Sequence, residues 1–435
     1  MKCNVPVAEA ITAEGVLPER VQEALGVMLG AAREGLLALS VQVGLDVLRG
    51  LLEEGVDELV GPKGRWNRDR TAVRHGHEDG EVTLGSRRVQ VKRPRARTAD
   101  GESEVPLVTY EHFADRDQLA DVVLERMLAG VSTRKYRRSQ EPVGEQIVDG
   151  ERSTSKSAVS RTFVQRTRDQ LWHLMNRPLA DLRLAVIMLD GIELHGRTNI
   201  VALGISTEGE KLALGLWDGS TENATVAAAL LSDLVDRGLD VEQGMLFVID
   251  GGKALRKAIR QVFGNDVPVQ RCVQHKQRNV LDHLSERDRP AVKARLRKAW
   301  AHTDHATALE QLTTLALELD RAHPDALREG MEETLTVTRL GITGKLKLTL
   351  QSTNPIESMI STVRVIHRNV KHWTSGEMCL RWTAAGMLEA ETRFRKVQGY
   401  RGLANLAIAI EHDLLRHRQS VTHTTSEEDA VALTV

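Results

Sequence analysis

The chain has 435 residues, of which 41% are hydrophobic and 27% are charged, which is the composition of a globular protein rather than of a disordered chain. Its 59 basic and 60 acidic residues nearly cancel, so the net charge excludes no class of partner and only its distribution is informative. Three cysteines are too few for a disulfide framework, and neither a membrane span nor the apolar core of a signal peptide is visible. These features predict a cytoplasmic protein with no membrane partner.

In the N-terminal quarter, the spacing of apolar residues changes once, from helical to strand-like. Residues 18–58 carry apolar side chains at helical spacing and predict two or three helices. Residues 61–97 are basic and alternate with period two, which predicts a short β-hairpin. The alternating positions are Val82, Leu84, Val89 and Val91, with Gly85 at the turn. We assign residues 1–110 to an N-terminal helical segment followed by this basic hairpin.

A second helical region spans residues 117–170, with a break at Gly130 and a new start after Gly150. Helix, break and helix with clustered arginines indicate a helix-turn-helix-like DNA-binding domain, which we place at residues 111–178. The stretch SKSAVSRTF is then the recognition helix. The side chains expected near DNA in this domain are Arg134, Lys135, Ser157, Ser160 and Arg161.

From residue 183 the pattern becomes α/β. The apolar runs RLAVIMLDG, NIVALGIST and KLALGLWDG follow one another through short turns and predict an antiparallel meander. Helix and strand patterns then alternate up to residue 285, which gives the first part of an α/β domain over 179–285. Residues 286–350 are charged and helical without strand character, and residues 351–435 resume the domain with a capped helix and C-terminal helices.

Three carboxylates stand out in this α/β region. Asp190 and Asp250 each end an apolar run and precede a glycine, and Glu357 lies in the first turn of a later helix. Grouped carboxylates repel one another unless a cation binds them, and their hard oxygen atoms suit Mg²⁺ or Mn²⁺. Two such ions about 3.5–4 Å apart would serve phosphoryl transfer.

Each carboxylate also has a structural alternative. Asp190 with Gly191 is a hairpin-turn signal between two strands. Asp250 is suited to cap the helix that follows it. Glu357 stands three residues after Asn354, in the layout of a capping box. The residues themselves leave these alternatives open.

Four separated segments resemble, in order, the mutator-type transposases of bacterial insertion sequences. They are MLDGIELHG around Asp190, FVIDGGKAL around Asp250, QRCVQH with Cys272 and His275, and STNPIES around Glu357. The similarity extends upstream to GEVTLGSRRVQVKRPRAR and SKSAVSRTF and covers residues 60–415 in outline.

This resemblance implies a ribonuclease H-like mixed sheet, interrupted by an all-helical insertion at 286–350, with Asp190, Asp250 and Glu357 as catalytic metal ligands. It implies a DNA transposase that binds the terminal inverted repeats of its element, cleaves them with Mg²⁺ and joins the 3′-hydroxyl to target DNA. The Cys272/His275 pair is then a signature near the active site, and Arg364 contacts DNA.

Further interpretations rest on other residues. A third basic cluster adds Arg368 and Lys371 as expected DNA contacts. Cys272 and His275 could form half of a zinc site with His302 and His305. Bringing two DNA ends together requires a homodimer or a higher assembly, and a DNA substrate predicts association with the nucleoid. The alternative functions are a DNA-binding relative without catalysis, or a ribonuclease H-fold nuclease that cuts without joining.

Overall fold

The computed structural model describes residues 36–65, 72–84, 87–115, 120–139, 155–194, 196–219, 223–319, 327–368, 370 and 372–416. Residue contacts divide the chain into a first unit, Met1–Arg166, and a second unit, Thr167–Val435. Three predictions fall outside the described residues: the part before residue 36 of the helices predicted over 18–58, the turn at Gly85 and the DNA contact Lys371.

The first unit contains helix α1 (Leu36–Val60) and an antiparallel sheet of β1 (Ala72–Leu84), β2 (Arg87–Thr98) and β3 (Glu104–Val105). Apolar residues on α1 recur every three or four positions and form one buried face against the sheet. Val82 pairs with Val89 in the register of β1 and β2, so the predicted hairpin is confirmed. The buried residues of α1 are Leu45, Leu48, Leu52, Val56 and Val60.

Arginines of this hairpin are paired with acids of the same unit. Arg74 binds Glu53 and Asp57 of α1. On β2, Arg95 Nη2 lies 2.6 Å from Glu104 Oε2. Part of the positive charge that the sequence places on the hairpin is therefore balanced internally.

Helices α2 (Val108–Asp115), α3 (Ala120–Leu128) and α4 (Lys156–Met175) follow, with a 3₁₀ turn at Tyr136–Ser139. The chain leaves α3 through Gly130, whose φ is 97°, so the predicted break is confirmed. Ser155 Oγ accepts the N–H of Ala158 at 3.1 Å and caps α4. Residues 140–154 are not described, and the helix-turn-helix stays a prediction.

The second unit is built on a five-stranded sheet. Its strands are β4 (Leu184–Leu194), β5 (Arg197–Ser206), β6 (Lys211–Gly219), β7 (Leu246–Ile249) and β8 (Val269–Arg271). Their order is β6-β5-β4-β7-β8; β5 is antiparallel to both β4 and β6, whereas β7 and β8 run parallel to β4. The predicted meander is confirmed. Helices α5 (Ala224–Asp236) and α6 (Lys253–Phe263) connect the later strands.

Alternate residues of the central strand β4 enter two different cores. Val186 and Met188 pack on the face that also buries helix α12 (Asn354–His367). Ile187 and Leu189 pack on the opposite face against α5 and α6. The strand is apolar on both faces because both are covered, which is typical of a central strand in an α/β sheet.

The remaining helices are α7 (Val273–Asp282), α8 (Arg289–Ala301), α9 (His305–Leu319), α10 (Thr336–Arg339), α11 (Gly344–Leu350), α13 (Gly376–Glu391) and α14 (residues 403–416). Side chains of α7, α8 and α9 form a third core around Leu296 and Leu312. The described part of residues 286–350 contains helices and turns but no strand. Among the described helices, none is long and apolar enough to cross a membrane.

The structure corrects the local environment predicted for Asp190. This residue does not end its strand: β4 continues to Leu194, and Asp190 pairs with Val201 of β5. The turn between β4 and β5 therefore lies beyond Leu194, and the interpretation of Asp190 with Gly191 as a hairpin turn is wrong.

Candidate functional site

The register of the sheet brings Asp190 and Asp250 side by side. Leu189 of β4 pairs in parallel with Ile249 of β7. Asp190 directly follows Leu189 in the chain, and Asp250 directly follows Ile249. Neighbouring strands lie about 4.8 Å apart. The two aspartates therefore lie next to each other at the carboxyl end of β7, the edge at which open α/β sheets commonly bind their ligands.

Backbone groups orient both carboxylates. Gly191 N–H donates to Asp190 Oδ1 at 2.8 Å, and Gly252 N–H donates to Asp250 Oδ1 at 2.8 Å. Gly252 itself is the N-cap residue of α6, so Asp250 supports the start of that helix without being its cap. One oxygen of each aspartate is held in this way.

Gly251 has a role that its sequence context did not indicate. Its φ is +113°, and a Cβ added there would lie 2.0 Å from Arg271 Nε. The space next to Gly251 is therefore filled by the guanidinium of Arg271.

Arg271 is a buried cation that the sequence analysis missed. It is 6% exposed, and its Nη1 donates to the carbonyl of Glu329 at 3.1 Å. A Cβ on Gly330 would also meet Arg271 Nη1, at 2.5 Å. Arg271 thus holds the turn after Asp250 against residues 329–330 of the helical region, and two glycines with positive φ make this contact sterically allowed.

Glu357 reaches the site through the loop that precedes α12. Gln351 accepts the N–H of Val273 at 2.9 Å, directly after β8. The N-cap of α12 is Thr353 rather than Asn354, so the predicted capping box is wrong. The hydroxyl of Thr353 donates to Glu357 Oε1, which fixes the carboxylate one turn into the helix.

The same threonine connects Glu357 to the Cys272/His275 pair. Thr353 Oγ1 lies 3.4 Å from both Cys272 Sγ and His275 Nδ1. His275 Nδ1 is 3.8 Å from Glu357 Oε1. Among the described residues, Cys272, His275 and Glu357 form the one group whose possible metal-ligand atoms all lie within 4.8 Å of one another.

The zinc arrangement suggested by the sequence is not assembled. His302 Nε2 is instead 2.8 Å from Gln311 Nε2. Neither His302 nor His305, both within the described part of the chain, joins the group around Cys272.

Electrostatics indicate that the three carboxylates share one environment. The pKa of Asp190 is raised to about 6, first by burial and also by the negative charges of Asp250 and Glu357, whereas Gly191 N–H and His275 act against this shift. The pKa of His275 is raised, first by its hydrogen bond with Cys272 and then by the charges of Glu357 and Asp250. These carboxylates therefore favour the imidazolium form of His275, whose positive charge would offset part of their repulsion.

The ionisation of the Cys272 thiol also depends on His275. Burial would raise the pKa of the Cys272 thiol, but its hydrogen bonds, first that with His275, outweigh burial and lower this pKa. Cys272 is a free, buried cysteine. Its sulfur therefore acts as a hydrogen-bond partner inside the cluster.

The expected DNA contacts that the structure describes are all exposed. Arg134 and Lys135 lie between α3 and the 3₁₀ turn, and three others lie on α4: Ser157, Ser160 and Arg161. In the second unit, Arg364 lies two turns beyond Glu357 on α12, and Arg368 is the C-cap of that helix. His367, which the sequence groups with these cations, is instead buried, and burial lowers its pKa to about 4.

Comparison with known proteins identifies the family. Residues 25–396 match the family described as "Transposase, Mutator family". The chain belongs to the Mutator family of transposases. The matched range of this family member includes Asp190, Asp250, Cys272, His275 and Glu357.

Similar proteins are named as insertion-sequence transposases. A probable transposase for an insertion sequence element of Corynebacterium diphtheriae is 30% identical over 43% of this chain and 54% of its own length, so the match spans about half of that relative. The transposase for insertion sequence element IS6120 of Mycolicibacterium smegmatis is 28% identical over 57% of this chain and 76% of its own length. The transposase for insertion sequence element ISRM5 of Rhizobium meliloti is 25% identical over 85% of this chain and 91% of its own length.

Proposed function

We propose that this chain is the transposase of a bacterial insertion sequence, which binds the ends of its element, cleaves them by phosphodiester hydrolysis and joins the freed 3′-hydroxyl to target DNA. The observation that carries the proposal is the placement of Asp190 on β4 beside Asp250, which directly follows the parallel strand β7, on the side of the sheet that receives the Glu357 helix. Family membership and the names of the relatives support the same conclusion.

The strand order supports a ribonuclease H-like catalytic domain. Three antiparallel strands are followed by two that run parallel to the first of them. In this arrangement, the helical region of residues 286–350 lies in the chain between β8 and the helix of Glu357 and constitutes an insertion.

The oxygen atoms of the three carboxylates are of the kind that binds a hard divalent cation. Burial and neighbouring carboxylates make ionised Asp190 unfavourable, and a cation would remove this cost. Asp190, Asp250 and Glu357 offer the oxygen ligands that suit Mg²⁺ or Mn²⁺. When bound, Mg²⁺ would act as a Lewis acid toward the phosphodiester and lower the pKa of a water.

Cys272 and His275 offer softer sulfur and nitrogen atoms, and we assign them a positioning role. They surround the hydroxyl of Thr353, which in turn binds Glu357. The positive charge of His275 also favours the approach of a negatively charged phosphodiester to a site that is otherwise rich in carboxylates.

Two in-line displacements at phosphorus would follow one another at this site. In the first, water attacks the phosphodiester, the bond to the 3′-oxygen breaks, and the 3′-oxygen leaves as a hydroxyl. In the second, this hydroxyl attacks a target phosphodiester and displaces another 3′-oxygen. Exposed Arg364 and Arg368 on α12 would contact the DNA backbone, and pairing two ends calls for a dimer or a larger assembly.

The test uses purified protein, labelled duplexes that carry the sequences flanking its gene, and Mg²⁺. We expect nicked and joined products from the wild type and neither product from Asp250→Asn. The matched control is Asp266→Asn, which changes an exposed aspartate of the same unit and should leave both products unchanged. An Asp250→Asn variant that still cleaves and joins would refute the proposal.

The two alternatives give different outcomes in the same experiment. Cleavage without joined products would favour a nuclease. Binding of the duplexes without cleavage by the wild type would favour a non-catalytic DNA-binding protein.

A further inference from the structure

A groove between α7 and α8 begins next to the candidate catalytic site. Its volume is about 660 Å³. Val273 and Gln274, which line one end, directly follow Cys272 in the chain, and Gln351, on the other wall, accepts the N–H of Val273. The groove therefore opens within one helical turn of His275.

The lining of this groove is strongly basic. Arg278 comes from α7, and Arg289, Lys293 and Arg297 come from α8, whereas Asp282 is the one carboxylate of the lining. The three basic residues of α8 are spaced four apart, so they form a stripe along one face of the helix. Another face of the same helix is buried in the core of the helical region.

Three of the four cations of the groove have no partner in the part of the chain that the structure describes; the fourth, Arg289, donates to the carbonyls of Leu281 and Leu284. Arg278, Lys293 and Arg297 have no hydrogen-bond or ion-pair partner among the described residues. Arg295, on another face of α8, does have one, since its Nη2 lies 2.9 Å from Glu318 Oε1. Like charges four residues apart destabilise a helix, and a polyanion in the groove would offset this effect.

The other lining groups favour a phosphate backbone over bases. The amides of Gln274 and Gln277 are neutral hydrogen-bond donors of the kind that contact phosphates. Trp300, the aromatic residue of the lining, is 5% exposed, and its indole N–H donates to Thr334 at 3.0 Å. It packs in the core and offers no open face on which a base could stack.

We propose that this groove binds the sugar–phosphate backbone of the DNA that enters the catalytic site. The basic stripe of α8 then forms an electrostatic track leading from the helical insertion to His275. The proposal rests on the proposed function only for the nature of the bound polymer, because cleavage is not needed for the binding it describes.

Helix α8 offers two variants with the same change in charge. Lys293→Ala with Arg297→Ala removes two cations from the groove. Arg295→Ala with Lys298→Ala removes two exposed cations from a face roughly 150° away, reckoned at 100° per residue. Alanine is a good helix former, so both variants should keep α8 folded.

The measurement is the affinity of the full-length chain for a fluorescein-labelled 30-base-pair duplex as a function of salt. Counterion release predicts that loss of two phosphate contacts lowers the slope of log K against log[salt] by about 1.8, and the affinity by about 60-fold at 0.1 M salt. We expect this loss in the groove variant and a change in slope below about 0.5 in the control, because exposed charges away from the DNA are screened. An equal loss in both variants, or no loss in the groove variant, would overturn the proposal.

A second measurement locates the DNA directly. Gln277→Cys places a thiol in the groove, and Lys298→Cys places one outside it. With a duplex carrying thiol-tethered phosphates, we expect disulfide cross-linking of the first variant and not of the second; the reverse preference, or equal yields, would overturn the proposal.

Failure of the proposed function would be recognised separately. Asp250→Asn should abolish cleavage while keeping the wild-type salt slope. A wild type that never cleaves DNA would refute the transposase chemistry and would leave the groove result unaffected.

Discussion

Replacing Asp190 by asparagine should make the metal-free protein more stable. The pKa of Asp190 rises from 3.8 to about 6 on folding, first because of burial. At about 1.36 kcal/mol per pKa unit, ionised Asp190 costs the folded state about 3 kcal/mol. Asparagine has nearly the same shape, keeps an oxygen that can accept the Gly191 N–H, and carries no charge.

The sign of the pH dependence follows from this raised pKa. Below about pH 4, Asp190 is protonated in the folded and the unfolded protein, so wild type and Asp190→Asn should have similar stabilities. Between about pH 4 and 6, the folded state retains a proton that the unfolded state has lost, and the wild type loses stability as the pH rises. Above about pH 6, the whole difference of about 3 kcal/mol is present.

Thermal unfolding in EDTA at pH 4 and pH 8 is the assay. For large domains, 1 kcal/mol corresponds to about 2 °C in Tm, so Asp190→Asn should raise Tm by about 6 °C at pH 8 and hardly at all at pH 4. Mg²⁺ should stabilise the wild type and stabilise the variant much less. A variant that is less stable than the wild type at pH 8 in EDTA, or a difference that is the same at both pH values, would refute this reasoning; Asp266→Asn is the control.

Two further substitutions test the surroundings of the site. In urea unfolding, Gly251→Ala should destabilise the protein more than Gly264→Ala. Both glycines have positive φ, which costs a non-glycine residue about 1–3 kcal/mol, but only at Gly251 would the new Cβ overlap Arg271. Equal losses of stability in the two variants would contradict this contact. As the pH falls from 6.5 toward 4, the wild type should lose about 3 kcal/mol of stability, because buried His367, with its pKa lowered to about 4, stays neutral while the unfolded chain takes up a proton. His367→Leu should remove this loss. Stability that falls equally steeply with pH in both proteins would count against this explanation.

The strands of the second unit were predictable because their pattern is local. Each of the three apolar runs after residue 183 became a strand, and the short turns between them required antiparallel pairing. The end of β4 was predicted wrongly because the apolar run stops at Asp190. A signal for the longer strand was present, since Ile192 and Leu194 continue the alternation past the aspartate while Glu193 is exposed.

The contacts within the site could not be read from the sequence. Thr353 lies 81 residues from Cys272 in the chain, and their hydroxyl–thiol contact depends on how α12 docks against the end of β8. Arg271 was overlooked for the same reason, because its partners, Gly251 and Glu329, belong to separate segments. Periodicity identifies the elements and their buried faces, whereas the partner of a polar side chain is decided by tertiary packing.

The position of Asp190 within β4 also bears on the choice between structure and function. Val186, Met188, Ile192 and Leu194 all belong to one buried core, and period-two alternation places Asp190 in the middle of this row. No described side chain donates a hydrogen bond to it; its bond comes from the neighbouring Gly191 N–H. The turn that would have explained a structural aspartate lies beyond Leu194. A carboxylate that costs about 3 kcal/mol in an apolar row, beside Asp250 at the end of the adjacent strand, makes no contribution to folding and supports the cation site that we propose.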